Sequence, residues 1–373
     1  MTNHEPRTTN PISQREIFLL AGEASGDDRG AELVRALLAK DSSLKITGMG
    51  GAKMKAAGME VLADITGHAV VGVFEAVKRY PFFKRVFDRL LAECVERGPA
   101  AVVGIDYPGF NLRFERAARE KLGSGAAIIH YVSPQLWAWD EGRKFRMAEF
   151  LDLVLCIFPF EPAIYEAAGL RAVYVGHPLA KKIRTAPPED RDPNLIALLP
   201  GSRKREISRH WPVLKETARR LAAARPNLRF AVGSNGGREF PGFEVQSPDP
   251  LMSKAWAGIV ASGTATLEAC LHGLPVVVVY KVFPPTYWLG WTLIKVPHLA
   301  MPNVIAGKEI VLEFIQGRCT PDRLVPAVER LLDSKEERGK LAAEYAQVRS
   351  RLGESDAARN AADLILQAIG SKA

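Results

Sequence analysis

The chain has 373 residues, 47% hydrophobic and 25% charged, with 50 basic against 42 acidic side chains and a formal net charge of +8. This is an ordinary globular balance in a chain longer than one core usually serves, so two domains are expected. The polar, prolyl first 16 residues lack a signal-peptide core and no stretch approaches the ~20 apolar residues of a spanning helix. Cys94, Cys156, Cys270 and Cys319 are too scattered for a disulfide framework or a zinc site, and no HxxxH or HExxH spacing occurs. A cytoplasmic protein with no metal and no cofactor is the expectation. The basic balance favours anionic partners, but without an RNP box, a zinc finger or a long basic arm nucleic acid is not among them.

In chain order, short apolar runs alternate with helical patterns. Strands are expected at Ile17–Ala21, Ile46–Met49, Ala101–Ile105, Ala127–Val132, Leu153–Ile157 and Ala172–Val175. From Gly176 to Asn194, four prolines and a run of charges break every period. The alternation resumes with strands at Leu195–Leu199, Leu228–Val232, Gly258–Ala261 and Pro275–Tyr280, and helices at Pro212–Ala224 and Ala265–His272. Asp356–Ile369 reads as an amphipathic helix crossing back to the first domain or to a partner subunit. The expected fold is α/β, two Rossmann-like doubly wound domains facing across a cleft: residues 1–180, a linker at 181–194, then 195–350, with a C-terminal segment from 351 to 373.

One local device recurs in both halves: an apolar strand, a Gly/Ser-rich bend, then a helix. It occurs at Gly22-Glu23-Ala24-Ser25-Gly26-Asp27, at Pro200-Gly201-Ser202-Arg203 and at Ser262-Gly263-Thr264. Unpaired N–H groups at a helix start carry partial positive charge, so small residues there admit a phosphate. Glu23, Ser25 and Gly26 are therefore candidate substrate contacts, as are Ser262, Gly263 and Thr264. Arg203 can form paired hydrogen bonds to a diphosphate, and Glu268, a turn into its helix, suits the paired hydroxyls of a ribose. Asp106, directly after a strand, is the candidate general base, its ordinary alternative being a strand-end cap. The loop Tyr131–Trp139 carries two indoles near the same edge and, with the turn Tyr107–Asn111, is expected to wall the acceptor side of a cleft. Walker A and complete GxGxxG sequences are missing, which argues against kinase, ATPase and nicotinamide dehydrogenase chemistry.

Two stretches have the composition of membrane-surface segments, Lys78–Phe87 with cations between aromatics and Tyr287–Ile294 with Trp288 and Trp291. Packing under a neighbouring helix is the alternative for both.

In this order, Gly22–Asp27, Val103-Gly104-Ile105-Asp106, His130-Tyr131-Val132-Ser133-Pro134 with Trp137-Ala138-Trp139, Val175-Gly176-His177-Pro178, Leu199–Arg203, Ala261–Glu268 and Pro302-Asn303 resemble the bacterial lipid-A-disaccharide synthases over nearly the whole chain. The resemblance implies an inverting, metal-independent UDP-sugar glycosyltransferase of the GT-B type, peripheral on the cytoplasmic face of the inner membrane. It would join the sugar of UDP-2,3-diacylglucosamine to 2,3-diacylglucosamine 1-phosphate, giving the β-1,6 disaccharide 1-phosphate and UDP. By position, Asp106 matches the family's candidate base and Arg203 its nucleotide-site arginine. Asn303 and Gln316 match residues lining that site, and Glu268 looks like the ribose-binding glutamate of related transferases. The family's exchange of C-terminal segments makes a homodimer an expectation. Departures fall at Arg29, where leucine is usual, at Gly109, at Asp140-Glu141, and in a segment from Val232 to Pro250 short enough to lack a helix. Two other readings stay open on the residues alone: a transferase or sugar-nucleotide epimerase with a soluble substrate, and a UDP-sugar-binding scaffold without turnover.

Overall fold

The computed structural model describes residues 15–67, 73–235, 238–283 and 297–372, with the side chains of 73–79, 138 and 139 excepted. The segment Tyr287–Ile294 lies outside the described residues.

The first sheet holds β1 (Glu16–Ala21), β2 (Lys45–Met49), β3 (Glu60–Ala63), β4 (Ala101–Ile105), β5 (Ala127–Tyr131), β6 (Leu153–Cys156) and β7 (Ala172–Tyr174), all parallel, in the order β3-β2-β1-β4-β5-β6-β7. The second holds β8 (Asp192–Leu199), β9 (Arg229–Gly233), β10 (Glu244–Gln246), β11 (Ala255–Ala261), β12 (Val276–Tyr280) and β13 (Glu313–Ile315), ordered β10-β9-β8-β11-β12-β13. Each sheet starts at its centre, winds one way, then reverses across the first strand. This is the doubly wound pattern, which opens a crevice at the carboxyl ends of the strands flanking the reversal. In the first sheet those strands are β1 and β4, and in the second β8 and β11.

Central strands form because runs such as Val102-Val103 and Ile196-Ala197-Leu198 are covered on both faces and have no exposure. Three strands escape the sequence pattern, β3, β10 and β13. All three are sheet edges of three or four residues, and each opens on a glutamate, Glu60, Glu244 or Glu313. The helix expected at Pro212–Ala224 instead runs Lys204–Ala224 with Pro212 inside it. Between β9 and β10 no helix lies among the described residues. Phe240 and Phe243 cover that crossover by packing edge-on against Trp211, at 4.7 and 4.9 Å between ring centres.

The chain crosses between domains twice. The first crossing follows β7 and carries a short helix, Pro178–Lys182, while the second lies between helices Lys335–Leu352 and Ala357–Gly370. They touch at Gly176 (φ 102°), where a Cβ would lie 2.3 Å from Ser355 Oγ. Tyr174 Oη donates to Leu352 O (2.6 Å), and Arg349 donates to the carbonyls of Ala180, Ile183 and Leu271. Helix Ala357–Gly370 then lies on helix Ala24–Lys40 of its own first domain, with Lys40 paired to Asp363 and Lys372 to Asp152 at 2.9 Å. One continuous apolar core therefore runs from β1 through Val175 and Ile183 to β8 and β11.

The aromatic-basic stretch falls in helix Val73–Arg97, and most of its rings do not point outward as a membrane segment would require. Phe82, Phe83, Val86 and Phe87 pack on the first domain's core, with Phe87 edge-on to Phe110 and Phe114 at 5.5 and 5.4 Å. Burial of an amphipathic helix's apolar face against the sheet wins over exposure of those rings. Lys84, Arg85 and Tyr80, the last 58% exposed, face outward.

Candidate active site

The first half's glycine turn is used mostly for packing. Gly22 makes room for the ring of Tyr107, which a Cβ would meet at 2.4 Å, and Gly30 does the same for Met54. Asp27 is buried, accepting from the N–H groups of Gly51 (2.8 Å), Lys53 (3.0 Å) and Met54 (3.0 Å), so it caps the next helix. Gly26, expected to touch substrate, is also buried, against Ala21 and Ile105 O, because helix Ala24–Lys40 must approach the strand ends closely. Glu23, Ala24 and Ser25 of this turn stay exposed.

Asp106 continues β4 by donating its N–H to Tyr131 O (2.8 Å), then turns off with φ 52°. Its Oδ1 accepts from Tyr107 N (2.9 Å) and its Oδ2 from Arg29 Nη1 (2.7 Å). Arg29, a departure in sequence, is thus the direct partner of the candidate base. Glu23 feels both domains: partial burial and the charge of Asp106 raise its carboxyl, while Arg203 and Arg29 pull it back down.

Across the cleft the turns of the second domain are open. Gly201 (φ 108°) leads to Arg203, whose side chain is 75% exposed and whose Nη1 lies 3.1 Å from Glu206 Oε1. His210 pins this loop: its Nδ1–H donates to Pro200 O (2.8 Å) while Nε2 accepts from Lys281 N (2.9 Å), a neutral ring whose burial lowers its pKa. At the other turn, Gly263 (φ 143°) and Thr264 stand exposed at the start of helix Thr264–His272, and Ser262 Oγ donates to Leu299 O (2.9 Å).

Two cavities meet here. One of about 420 Å³ is walled by Ser202, Arg203, Ser234, Asn235, Gly263 and Glu268. Glu268 is half-buried, and desolvation followed by the charge of Asp249 raises its carboxyl. The other, about 600 Å³, lies between the domains and is lined by Ser25, Arg29, Asp106, His177, Arg203 and Thr264, among others. Arg203, Ser262, Gly263 and Thr264 belong to both. The candidate base and the candidate phosphate ligand, 97 positions apart in sequence numbering (203 minus 106), thus face one opening.

Two expected lining residues are elsewhere. Asn303 is fully buried and its amide is consumed internally: Nδ2 donates to Val311 O and Glu313 Oε1, both at 2.8 Å, and Oδ1 accepts from Ile310 and Val311 N–H. Its effect reaches the cleft at second hand, because Glu313 accepts from Leu299 and Ala300 N–H and Leu299 holds Ser262. Gln316 (φ 48°) spends its side chain on the N–H and C=O of Val282, as a strand neighbour would. The Asn303 amide thus has both hydrogens and both oxygen lone pairs engaged, while Gln316 is turned onto the Val282 backbone.

The post-strand loops expected to wall the acceptor side do line this cavity, through Pro108, Ser133 and Trp137, but the sequence undervalued His177 and gave no sign of Glu161. His177 is buried against Phe158 and accepts from Leu179 N–H through Nδ1 (3.2 Å); burial, aided by Arg29, lowers its pKa to about 3 and keeps the ring neutral. Glu161 is fully buried beneath the Ser133 loop, where Ser133 Oγ (2.6 Å), Trp137 Nε1 (3.1 Å) and Phe158 N (3.1 Å) donate to it. Burial still lifts its pKa to about 7. The post-strand HisTyrValSerPro run was the available signal for this wall, but Glu161, 28 residues beyond Ser133, carried none.

Comparison with known proteins agrees with this architecture. The family model described as "Lipid-A-disaccharide synthetase" matches residues 17–240 and 243–369. The chain is 36% identical over 382 residues to a lipid-A-disaccharide synthase of Geobacter sulfurreducens (96% of this chain, 99% of the relative) and 38% identical over 384 residues to one of Myxococcus xanthus (97% and 98%). The fold is similar to that of CalG4, the calicheamicin glycosyltransferase, with a TM-score of 0.58 at 17% identity, covering 96% of this chain and 99% of that one.

Proposed function

This chain belongs to the lipid-A-disaccharide synthase family and is a glycosyltransferase of lipid A biosynthesis of the GT-B type, and from that premise we propose how its cleft performs the transfer. The smaller cavity takes the nucleotide of UDP-2,3-diacylglucosamine, with its diphosphate at Arg203 and the helix start Gly263-Thr264 and its ribose at Glu268. The first domain presents 2,3-diacylglucosamine 1-phosphate, its 6-hydroxyl against Asp106. As that oxygen attacks the anomeric carbon from the face opposite the diphosphate, its proton passes to the Asp106 carboxylate. The new C–O bond forms, the bond to the diphosphate breaks, and the electron pair leaves on UDP, where Arg203 offsets the growing charge. The configuration inverts because the nucleophile and leaving group lie on opposite sides of one carbon.

The supporting observation is that Asp106 and Arg203 line the same interdomain cavity from opposite domains. No helix among the described residues is long and apolar enough to cross a membrane. We place the enzyme on the cytoplasmic face of the inner membrane, held by the outward cations Lys84 and Arg85 with Tyr80. The deciding experiment incubates the purified protein with both acylated glucosamines and follows the products by mass spectrometry. Disaccharide 1-phosphate and UDP in equal amounts are expected. UDP binding without product would sink the reading in favour of a scaffold, and an altered UDP-sugar alone would favour an epimerase.

A further inference from the structure

Asp106 and Tyr107 both occupy the left-handed backbone region, with φ of 52° and 48°. Aspartate tolerates that region, but a bulky tyrosine there must be held by its surroundings. Asp106 Oδ1 holds the Tyr107 N–H, and the Asp106 end of this turn is held by Asn111, fully buried in the first turn of helix Pro108–Leu122. Its Nδ2 lies 2.7 Å from Asp106 O, 3.2 Å from Ile105 O and 3.1 Å from Leu20 O. Two amide hydrogens are shared among three carbonyls, so one side chain ties the ends of β1 and β4 to the backbone of the candidate base.

The support extends inward. Glu115, one turn further along the same helix, sits 2.8 Å from His130 Nδ1 on β5, and neither side chain has any exposure. Gly104, in register with His130, leaves the space they need: a Cβ there would meet Glu115 Oε1 at 2.1 Å and Asn111 Cβ at 3.0 Å. Asn111 Oδ1, Glu115 Oε2 and His130 Nε2 are buried with no hydrogen-bond partner among the described residues. Apolar side chains would support a helix at lower cost than this incompletely satisfied polar group. What apolar side chains could not supply is the amide clamp on three carbonyls.

We propose that Asn111, backed by the Glu115–His130 pair, is the positioning residue for Asp106, fixing through the backbone the angle at which the carboxylate enters the cleft. Asn111 lines neither of the two cavities described above and reaches them only through Asp106, so it sets the rate of transfer and not the affinity for either substrate. The proposal rests on the reading of Asp106 as general base. Displacing a reacting group by about 1 Å costs on the order of 100-fold in rate. Asn111→Asp keeps the size but turns oxygens toward three carbonyls, and Asn111→Ser removes the reach.

The experiment measures kcat, the acceptor KM, UDP affinity and thermal unfolding for Asn111→Asp, Asn111→Ser, Asp106→Asn and the Asp106→Asn/Asn111→Asp pair. Both Asn111 variants should lose about 100-fold in kcat with KM and UDP affinity within about twofold of the parent. In the Asp106→Asn background the second substitution should cost nothing more, since the group being aimed is gone. Full additivity in the pair overturns the proposal, as does unchanged kcat in Asn111→Asp or loss of folding in both Asn111 variants. Undiminished turnover in Asp106→Asn has a different meaning: it removes the base reading itself.

Discussion

The two halves carry the same strand, glycine bend and helix, yet the halves use it for opposite purposes. In the first domain the bend is consumed by the protein: Gly22 houses the Tyr107 ring, Gly26 lies under the strand ends, and Asp27 caps the next helix. In the second domain it is left open, with Arg203 75% exposed and Gly263 and Thr264 bare at a helix start. The comparison teaches that small residues at a strand end signal close approach by something, and that only the packed structure says whether a ring or a phosphate approaches. The first domain contributes chemistry from the neighbouring strand instead, through Asp106 at the end of β4.

The largest effect expected from this division belongs to Asp106. Asp106→Ala should lower turnover by about 10²- to 10⁴-fold while UDP affinity is retained, because the base lies on the first domain and the nucleotide on the second. Kinetics paired with calorimetric UDP titration check it, and near-parental turnover would break the assignment. Glu161 comes next and acts on stability. Burial raises its carboxyl from the usual 4.5 to about 7, so the folded state favours the proton. Its contribution is complete below about pH 4.5 and lost as pH rises through about 7, roughly 3 kcal/mol in all. The melting advantage of the parent over Glu161→Gln should therefore shrink between pH 5 and 8, and a constant difference would refute it.

Arg203→Ala should weaken UDP binding by about 10- to 100-fold, the loss of a charge-assisted pair, with little change in melting temperature. Unchanged affinity would mean that the open turn binds through its backbone alone. The smallest effect is expected from Gly22→Ala, where the new methyl must displace the Tyr107 ring. It should cost about 1–3 kcal/mol of stability and leave UDP affinity intact, as denaturant unfolding with UDP titration will show. Weakened UDP binding with full stability would reverse the contrast between the two turns.

Buried elements and the positions directly after them were legible in the sequence. Ile17–Ala21, Ala101–Ile105, Leu195–Leu199 and Gly258–Ala261 are unbroken apolar runs, and Asp106, Arg203 and Ser262 follow such runs closely. The edge strands β3, β10 and β13 were not, because a short strand paired on one side need not be apolar. Side-chain employment was also hidden. Asn303 and Gln316 were assigned to the ligand by their place in a motif, whereas their partners, Glu313 and Val282, are contributed by other parts of the second domain. The aromatic-basic helix divides in the same way, with Phe82, Phe83 and Phe87 on the core and Tyr80, Lys84 and Arg85 outside, and composition does not say which face finds a core.

The sequence by itself determined that this would be two wound α/β domains, since hydrophobic period and turn chemistry are local properties, and its ordered motifs determined the family. Tertiary structure alone decided that Arg29 reaches Asp106 across 77 positions, that Asn111 clamps the ends of two strands, and that a ring packs on Gly22 while Gly263 has no side chain against it. A hydrogen bond or a collision depends on where distant parts of the chain come to rest, and no window of neighbouring residues contains that distance.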